Sequence, residues 1–143
     1  MIPLKVESTV GKFTGRLSGY RRAKRSWVCP ACIRESPGKV CATCAGPADH
    51  CDSRKEADRY VGLLLLQRAQ KICELKPHPR YALVVNGVSV GTYIADFSYR
   101  DMARADWPRV IEDVKGSYVF QDPASALRRR LAEVLHAITV VLV

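Results

Sequence analysis

The sequence predicts a mixed α/β (α+β) fold in the order α-β-β-β-α-β, preceded by a small cysteine-rich segment. Three observations support this prediction. Two C-x₂-C pairs lie between residues 29 and 44, a capping box begins a helix at Ser53, and Asn86-Gly87 joins two apolar segments as a hairpin turn. The 143 residues suffice for one domain with a small addition. The expected organisation is a basic arm over 1–26, a ribbon over 27–51 and a core over 52–143.

The charge is strongly basic and uneven. The chain carries a net charge of +9. Residues 1–51 hold nine Lys/Arg against three acidic residues, and residues 52–143 hold fourteen against eleven. Such a balance favours a polyanion, DNA above all, as the partner. Residues 1–26 interleave seven basic residues with Tyr20, which indicates a flexible arm contacting phosphates or a solvated tail without a specific role.

The chain shows no sign of export or of membrane insertion. The N-terminus lacks an apolar core typical of signal peptides, and the apolar runs over 61–66 and 137–143 are too short to cross a bilayer. We therefore expect a soluble, cytoplasmic protein with no membrane partner. In a reducing compartment, paired cysteines bind metal more often than they form disulfides.

The cysteine pairs have the spacing of a structural zinc site. Cys29 and Cys32 form one knuckle, and Cys41 and Cys44 form the second. Four thiolates give closed tetrahedral Zn²⁺ coordination, as in a zinc ribbon, and leave no open position for catalysis. His50 and Cys51 lie near enough in sequence to replace the fourth ligand. The predicted role of the zinc is folding and docking.

A helix is expected to follow the ribbon. Ser53 and Glu56 form an S-x-x-E capping box, and apolar residues recur at helical spacing to about Leu75. Pro77 and Pro79 then end the helix. Glu56 has two interpretations, the reciprocal cap of this helix or a functional carboxylate.

Two strands follow around the Asn86-Gly87 turn. The first covers 80–86 and the second runs from Val88 to about Arg100. Strand alternation places Val88, Val90, Ile94 and Asp96 on one predicted core-facing row. A carboxylate at the end of such a row needs a cation or hydrogen-bond donors, or it marks where the strand leaves the core.

The third strand carries the most informative pattern, R-V-I-E-D-V-K-G over 109–116. Alternation puts Asp113 and Lys115 on one face and Glu112 on the other. An isolated D-x-K usually forms an ion pair, whereas in a nuclease centre the carboxylate holds a metal and the lysine offsets charge on the phosphate. Which of Glu112 and Asp113 is the main ligand stays open, with Asp113 favoured by alternation.

The last two elements are a helix and a buried strand. Asp122-Pro123 supplies an N-cap and an N1 proline for a helix to about His136, and the apolar run over 138–143 is typical of a central or parallel strand. The helix carries an arginine triple over 128–130, which indicates a solvated face or phosphate contacts.

The predicted order of helices and strands brings together a candidate catalytic set of four residues: Glu56, Asp96, Asp113 and Lys115. If the first helix packs on the sheet face that carries the aspartates, the three carboxylates and the lysine converge. Acidic oxygens at such a point bind Mg²⁺ (or Mn²⁺), the requirement of phosphodiester hydrolysis.

The element order with D…D-x-K resembles the PD-(D/E)xK, or restriction-endonuclease-like, nuclease superfamily. The segments D-S-R-K-E-A-D-R-Y, E-L-K-P-H-P-R-Y, Y-I-A-D-F and I-E-D-V-K-G resemble more closely a phage and prophage family of unknown function related to Holliday junction resolvases. The resemblance covers about residues 52–143. It implies a Mg²⁺-dependent DNA endonuclease of a bacterial host cell, with Glu56, Asp96, Asp113 and Lys115 at the active-site positions. Ala95 and Asp113 depart from the commonest residues of that pattern.

Two other functions compete with this one. A non-catalytic zinc-ribbon DNA-binding or regulatory protein would keep the basic arm and the zinc without Mg²⁺ dependence. An HNH-type centre at Asp49-His50 needs a well-spaced later histidine, and neither His78 nor His136 fits. Coordinated cleavage of a junction suits a homodimer, but no residue specifies an interface, a substrate geometry or a sequence preference.

Overall fold

The computed structural model describes residues 25–115 and 122–143, so most of the predicted basic arm and the connection after Lys115 lie outside the described residues. The described elements, in chain order, are β1 (Ser26–Cys29), β2 (Arg34–Ser36), β3 (Asp49–Cys51), α1 (Arg54–Arg68), β4 (Ile72–Pro77), β5 (Arg80–Val85), β6 (Val88–Ile94), β7 (Phe97–Asp101), β8 (Arg109–Asp113), α2 (Pro123–His136) and β9 (Val140–Leu142). The mixed α+β class is confirmed. None of these helices has the length and apolar character needed to cross a membrane.

The strands form three sheets. The ribbon is a three-stranded antiparallel sheet in the order β2-β1-β3. The main sheet has the order β4-β7-β8-β9, antiparallel except for the β8–β9 pair, which is parallel. A parallel pair needs a crossover connection, and α2 supplies it between β8 and β9. The β5–β6 hairpin forms a two-stranded sheet of its own.

Helix α1 begins where the capping box predicts and ends earlier. Ser53 is the N-cap, and its hydroxyl accepts the Glu56 N–H at 3.1 Å. The expected continuation to Leu75 is wrong, because the chain leaves the helix after Arg68 and residues 72–77 form β4. Gln70 adopts a left-handed conformation (φ +56°), Lys71 N–H donates to Leu66 O at 2.9 Å, and Gln70 N–H donates to Gln67 O at 3.0 Å. This is a Schellman ending without the usual glycine, so the sequence carried no signal for it.

The hairpin turn is confirmed, and the course of the returning strand is corrected. Asn86 and Gly87 both have positive φ, +49° and +80°, as a type I′ turn requires. The strand expected over 88–100 is interrupted at Ala95-Asp96, where the chain passes from the hairpin into the main sheet.

The predicted core-facing row of this segment is also wrong. Val88, Val90 and Ile94 are exposed, whereas Tyr93, Ala95 and Phe97 of the alternate row are buried. The two aromatic rings fill more core volume than the valines, so the aromatic row faces inward.

Each face of the main sheet has its own hydrophobic core. The first core joins ribbon residues to α1 and to the strands β4 and β7; its buried members are Val28, Cys51, Ala57, Tyr60, Leu63, Leu64, Ile72, Phe97 and Tyr99. The second lies between the hairpin, β8, β9 and α2; its buried members are Leu83, Tyr93, Ala95, Ile111, Ala132 and Val140. The ribbon therefore packs directly into the core of the domain that follows it.

Candidate functional site

The four predicted zinc ligands converge at one point of the ribbon. The ligand atoms of Cys29, Cys32, Cys41 and Cys44 all lie within 4.8 Å of one another. Cys29 Sγ is 3.6 Å from Cys44 Sγ, and Cys41 Sγ is 3.9 Å from Cys32 Sγ. A tetrahedron with Zn–S bonds of about 2.3 Å has sulfur–sulfur edges of about 3.8 Å, so these separations fit zinc.

The backbone of each knuckle supports thiolates. Cys32 N–H donates to Cys29 Sγ and Thr43 N–H donates to Cys41 Sγ, both at 3.4 Å. Backbone N–H groups of Cys44 and Thr43 lower the pKa of Cys41 to about 6. A hydrogen bond with Cys44, together with burial and the other thiols, raises the pKa of Cys32 to about 12. Without a cation the sulfurs share protons, and a divalent metal replaces those protons.

Neither alternative fourth ligand points to the sulfur cluster. Cys51 is buried in the first core, where burial and then the Glu56 charge raise its pKa to about 12. His50 packs edge-on against Trp27, with ring centroids 5.0 Å apart, and its Nδ1 lies 3.6 Å from Asp52 Oδ1. Cys29, Cys32, Cys41 and Cys44 are therefore the residues positioned to bind a metal such as zinc.

Glu56 is both a helix-capping residue and the partner of a histidine. Its Oε2 accepts the Asp52 N–H at 2.9 Å, and its Oε1 lies 2.9 Å from His78 Nε2. The Glu56 side chain is only 5% exposed, so its contact with His78 is largely shielded from water on the Glu56 side. The hydrogen bond to Glu56 raises the pKa of His78, although burial opposes it.

His78 is the residue of this site that the sequence analysis missed. It lies in the turn between β4 and β5 with a positive φ of +50°, and its N–H donates to Asp96 O at 2.8 Å. The only local signal was a histidine between Pro77 and Pro79. Its partner Glu56 is 22 positions away, and only the unpredicted strand β4 brings the two together.

Asp96 lies where the chain passes from β6 to β7. Its N–H donates to Glu112 O at 3.0 Å, and its Oδ2 accepts the Val114 N–H at 2.5 Å. Burial raises the pKa of Asp96 to about 7; the Val114 N–H opposes this shift, and the charges of Glu56 and Asp113 add to it. A hydrogen bond between the Asp96 and Asp113 carboxyls contributes further, so these two carboxyls are direct neighbours.

Asp113 and Lys115 follow one another at the end of β8. Lys115 Nζ lies 2.6 Å from Asp113 Oδ2, and the Tyr93 hydroxyl donates to the same oxygen at 3.2 Å. Strand β9 fixes this backbone, because Lys115 N–H donates to Val143 O and Val143 N–H donates to Asp113 O. The expected D-x-K pair therefore exists as an ion pair beside Asp96.

Glu112 lies on the opposite face of β8. Arg59 holds it with two hydrogen bonds of 2.8 and 2.6 Å, and the Tyr99 hydroxyl donates to it at 2.6 Å. Glu112 is 2% exposed, and its charge is compensated by Arg59. This buried pair occupies Glu112 and leaves Asp113 as the carboxylate next to Asp96.

Replacement of Glu112 by alanine is expected to lower the free energy of unfolding by about 3 kcal/mol, because it leaves a partly buried guanidinium and a buried hydroxyl unpaired. The figure is at the low end of the range for buried pairs because the Arg59 side chain is 36% exposed. Urea denaturation measures it. The double variant Arg59→Leu/Glu112→Leu should recover part of the loss, and a loss below about 1 kcal/mol for Glu112→Ala would contradict the assignment.

The predicted convergence of all three carboxylates is only partial in this geometry. Asp96 interacts with both Glu56 and Asp113. Within residues 25–115 and 122–143, however, the four cysteines alone place three or more metal-ligating atoms within 4.8 Å of one another. Asp96 and Asp113 thus form a pair, and Glu56 stands near them in contact with His78.

An open cleft adjoins this pair. It has a volume of about 250 Å³ and is lined by Thr92, Tyr93, Ile94, Asp113, Lys115, Ser125 and Arg128. Hence Asp113 and Lys115 are accessible to a ligand, whereas Glu112 is not.

The pKa of Asp96 gives a testable pH dependence in metal-free buffer. A carboxyl whose pKa rises from 3.8 to about 7 on folding contributes stability that is present below pH 3.8 and lost as the pH rises through about 7. Asp96→Asn, which can still accept the Val114 N–H, should be more stable than wild type by about 2 kcal/mol at pH 8 and not at pH 4. Thermal unfolding of the zinc-loaded proteins across this range, in buffer without Mg²⁺ or Mn²⁺, measures the difference. Asp106→Asn is the exposed control, and a pH-independent gap for Asp96→Asn would contradict the prediction.

Comparison of the chain with protein-family models, with curated proteins and with solved structures finds no match.

Proposed function

We propose that this protein is a Mg²⁺-dependent DNA endonuclease, with Mn²⁺ as an alternative ion, that hydrolyses phosphodiester bonds. One observation carries the proposal. Asp113 and Lys115 line an open cleft with Lys115 Nζ 2.6 Å from Asp113 Oδ2, and the buried Asp96 carboxyl lies next to Asp113 behind them. Two neighbouring acidic groups and one ammonium, with one acid and the ammonium open to a ligand, are the groups that metal-assisted phosphodiester hydrolysis needs.

The topology supports this proposal. Five described strands lie between α1 and α2, whereas the sequence predicted three and counted the two hairpin strands among them. With the β5–β6 hairpin set aside, the order α1-β4-β7-β8-α2-β9 is α-β-β-β-α-β with a mixed sheet. That is the order expected from the resemblance to the PD-(D/E)xK superfamily. Asp96 directly precedes the second strand of this order, and Asp113 ends the third. The relation to Holliday junction resolvases makes branched DNA the first substrate to examine.

The roles of the residues follow from their surroundings. Asp96 and Asp113 would hold the divalent cation, which when bound offsets charge on the phosphate and lowers the pKa of water. A cation there would also offset the burial of the Asp96 charge and its repulsion by Glu56 and Asp113, which raise the pKa of Asp96. Lys115 contributes positive charge beside the phosphate and a hydrogen-bond donor for orienting water.

Glu56 would act from the other side of Asp96. Its Oε1 is engaged by His78 Nε2, so it reaches a cation only by exchanging or sharing that contact. Its interaction with the Asp96 carboxyl keeps it near the proposed ion. His78 therefore holds Glu56 in place in the metal-free protein, which makes Glu56 a weaker ligand candidate than the aspartates.

The second candidate is a non-catalytic zinc-ribbon DNA-binding protein, and a specific observation favours it. Both Glu56 and Asp113 already have cationic or hydrogen-bonding partners, so neither requires a metal. This candidate predicts DNA binding without cleavage and no effect of Mg²⁺ on stability.

Incubation of the zinc-loaded protein with supercoiled, linear, single-stranded and four-way-junction DNA separates the two candidates. The nuclease proposal predicts cleavage by the zinc-loaded protein with Mg²⁺ or Mn²⁺ and none when both ions are omitted. It also predicts that Mg²⁺ raises the melting temperature of wild type and not of Asp96→Asn. Binding of DNA without cleavage of any substrate, together with no thermal shift, would reject the nuclease and support the second candidate.

A further inference from the structure

The cleft beside Lys115 contains a second basic wall, which the proposed chemistry does not use. Helix α2 contributes Ser125 and Arg128 to it, β6 contributes Thr92, and the D-x-K pair forms the other side. Arg128 is exposed, and no salt bridge joins it to any other described residue. An arginine beside a cleft without an ion-pair partner is available to an anionic ligand.

The chemistry of the cleft selects a phosphate group. Thr92, Lys115 and Arg128 bring side-chain hydrogen-bond donors, and Asp113 is the single carboxylate among the described lining residues. A guanidinium and an ammonium in one cleft suit an anion with several acceptor oxygens. A cation held by Asp113 would make the cleft still more attractive to a phosphate.

The size of the cleft limits what it can recognise. Its volume of about 250 Å³ is below the roughly 300–1,000 Å³ of pockets that enclose drug-sized ligands. It therefore suits a short piece of sugar–phosphate backbone rather than a larger enclosed ligand. Backbone contacts of this kind position DNA and carry no sequence information.

The N-terminus of α2 is not the anion site itself. Asp122 caps it and accepts the N–H groups of Ala124 and Ser125, at 3.4 and 3.1 Å. The Ser125 hydroxyl also lies 3.1 Å from Asp122 Oδ2. With these donors occupied, the guanidinium of Arg128 is the group on α2 left to hold a phosphate.

We propose that Arg128 binds the DNA backbone phosphate next to the one placed at Asp113 and Lys115, and so aligns the strand independently of its sequence. The inference rests on the proposed nuclease function, since it takes Asp113 and Lys115 as the reacting end of the cleft. Arg128 is a positioning residue in this scheme. Its loss should weaken DNA binding and raise KM more than it lowers kcat.

Fluorescence anisotropy of the zinc-loaded protein with a fluorescein-labelled linear duplex, in buffer without Mg²⁺ or Mn²⁺, tests the contact without cleavage. Arg128→Ala should weaken binding about tenfold. It should also lower the slope of log K against log salt by about one between roughly 50 and 200 mM. Arg128→Lys should keep the slope, because the charge remains, and lose part of the affinity. Arg130→Ala removes an exposed arginine of the same helix that does not line the cleft, and it should change the affinity less than twofold.

The outcomes separate this inference from the nuclease proposal. If wild type cleaves DNA while Arg128→Ala and Arg130→Ala behave alike in affinity, salt slope and KM, the inference is overturned and the nuclease stands. If no DNA is cleaved but Arg128→Ala alone loses affinity and slope, the phosphate contact stands and the nuclease falls. Absence of DNA binding by wild type would overturn the inference. Arg128 is exposed, so the variants should unfold at the wild-type temperature, which circular dichroism verifies.

Discussion

Replacement of Asp113 by asparagine is expected to lower the rate of Mg²⁺-dependent DNA cleavage by about a thousandfold. Asparagine keeps the size of the side chain and removes its charge. The proposed cation would then lose one of its two carboxylate ligands, and Lys115 loses the partner that holds its Nζ at 2.6 Å. The measurement is single-turnover cleavage of labelled DNA at saturating protein, so that a change in affinity does not enter the rate.

Two matched carboxylates control for general effects of the substitution. Asp106→Asn changes an exposed acid and should leave the rate unchanged. Glu112→Gln changes the residue immediately before Asp113 and should cost stability far more than cleavage, because Glu112 faces Arg59 and Tyr99. If Glu112→Gln abolished cleavage in a folded protein while Asp113→Asn did not, the assignment of the two neighbouring acids would be reversed.

DNA affinity distinguishes a lost catalytic group from a lost binding site. Asp113→Asn removes negative charge from a cleft that also holds Lys115 and Arg128, so DNA binding by the zinc-loaded protein without Mg²⁺ should be equal to that of wild type or tighter. A variant that fails to cleave and also fails to bind would point to misfolding. Asp113 is 8% exposed, and a thermal melt of the same preparation checks its folding.

The parts of the fold that the sequence predicted are those with strong local signals. Asn86-Gly87 specified its turn, Ser53 the start of α1, and Asp122-Pro123 the start of α2. The spacing of the four cysteines predicted a cluster whose sulfur separations fit zinc. In each case residues a few positions apart determine the geometry, so no tertiary information was needed.

The errors arose where tertiary structure overrides local pattern. The end of α1 rests on a left-handed Gln70, and residues 72–77 form a strand because β7 pairs with them. The sequence analysis chose the wrong buried row of the hairpin. Val88 and Val90 form one alternating row, and Tyr93 and Ala95 belong to the other, so the pattern fits either choice. Only packing against α2 shows that the row of Tyr93 and Ala95 is buried. The contact of His78 with Glu56 depends on strand β4, which the sequence did not predict, so sequence analysis could not find it.

Loss of the zinc is expected to destabilise the whole described domain and not the ribbon alone. Cys41→Ser should lower the melting temperature by more than about 10 °C, since structural zinc contributes binding free energy comparable to the entire stability of a small domain. The sequence suggested a separable ribbon over 27–51. In the structure Val28 and Cys51, at 0% and 1% exposure, pack in the same core as Tyr60 and Phe97.

Polar contacts couple the ribbon to α1 as well. The Tyr60 hydroxyl donates to Asp49 Oδ2 at 2.6 Å, and Arg54 pairs with Glu35 at 3.0 Å. Strand β3 leads through Asp52 directly to the N-cap of α1, and the Asp52 N–H holds Glu56 Oε2. Disorder of the ribbon would therefore also disturb the position of Glu56, which lies only a few residues beyond β3. Cys41→Ser should for this reason also reduce any cleavage activity.

Differential scanning calorimetry of zinc-loaded wild type distinguishes the shared core from independent units. A shared core predicts one cooperative unfolding transition, and Cys41→Ser should shift this whole transition to lower temperature. Cys73→Ser is the matched control, because Cys73 lies on β4 outside the sulfur cluster and its substitution leaves all four ligands intact. Two transitions, of which Cys41→Ser removes only the smaller, would mean that the ribbon folds separately and that burial of Val28 and Cys51 contributes little to the rest of the domain.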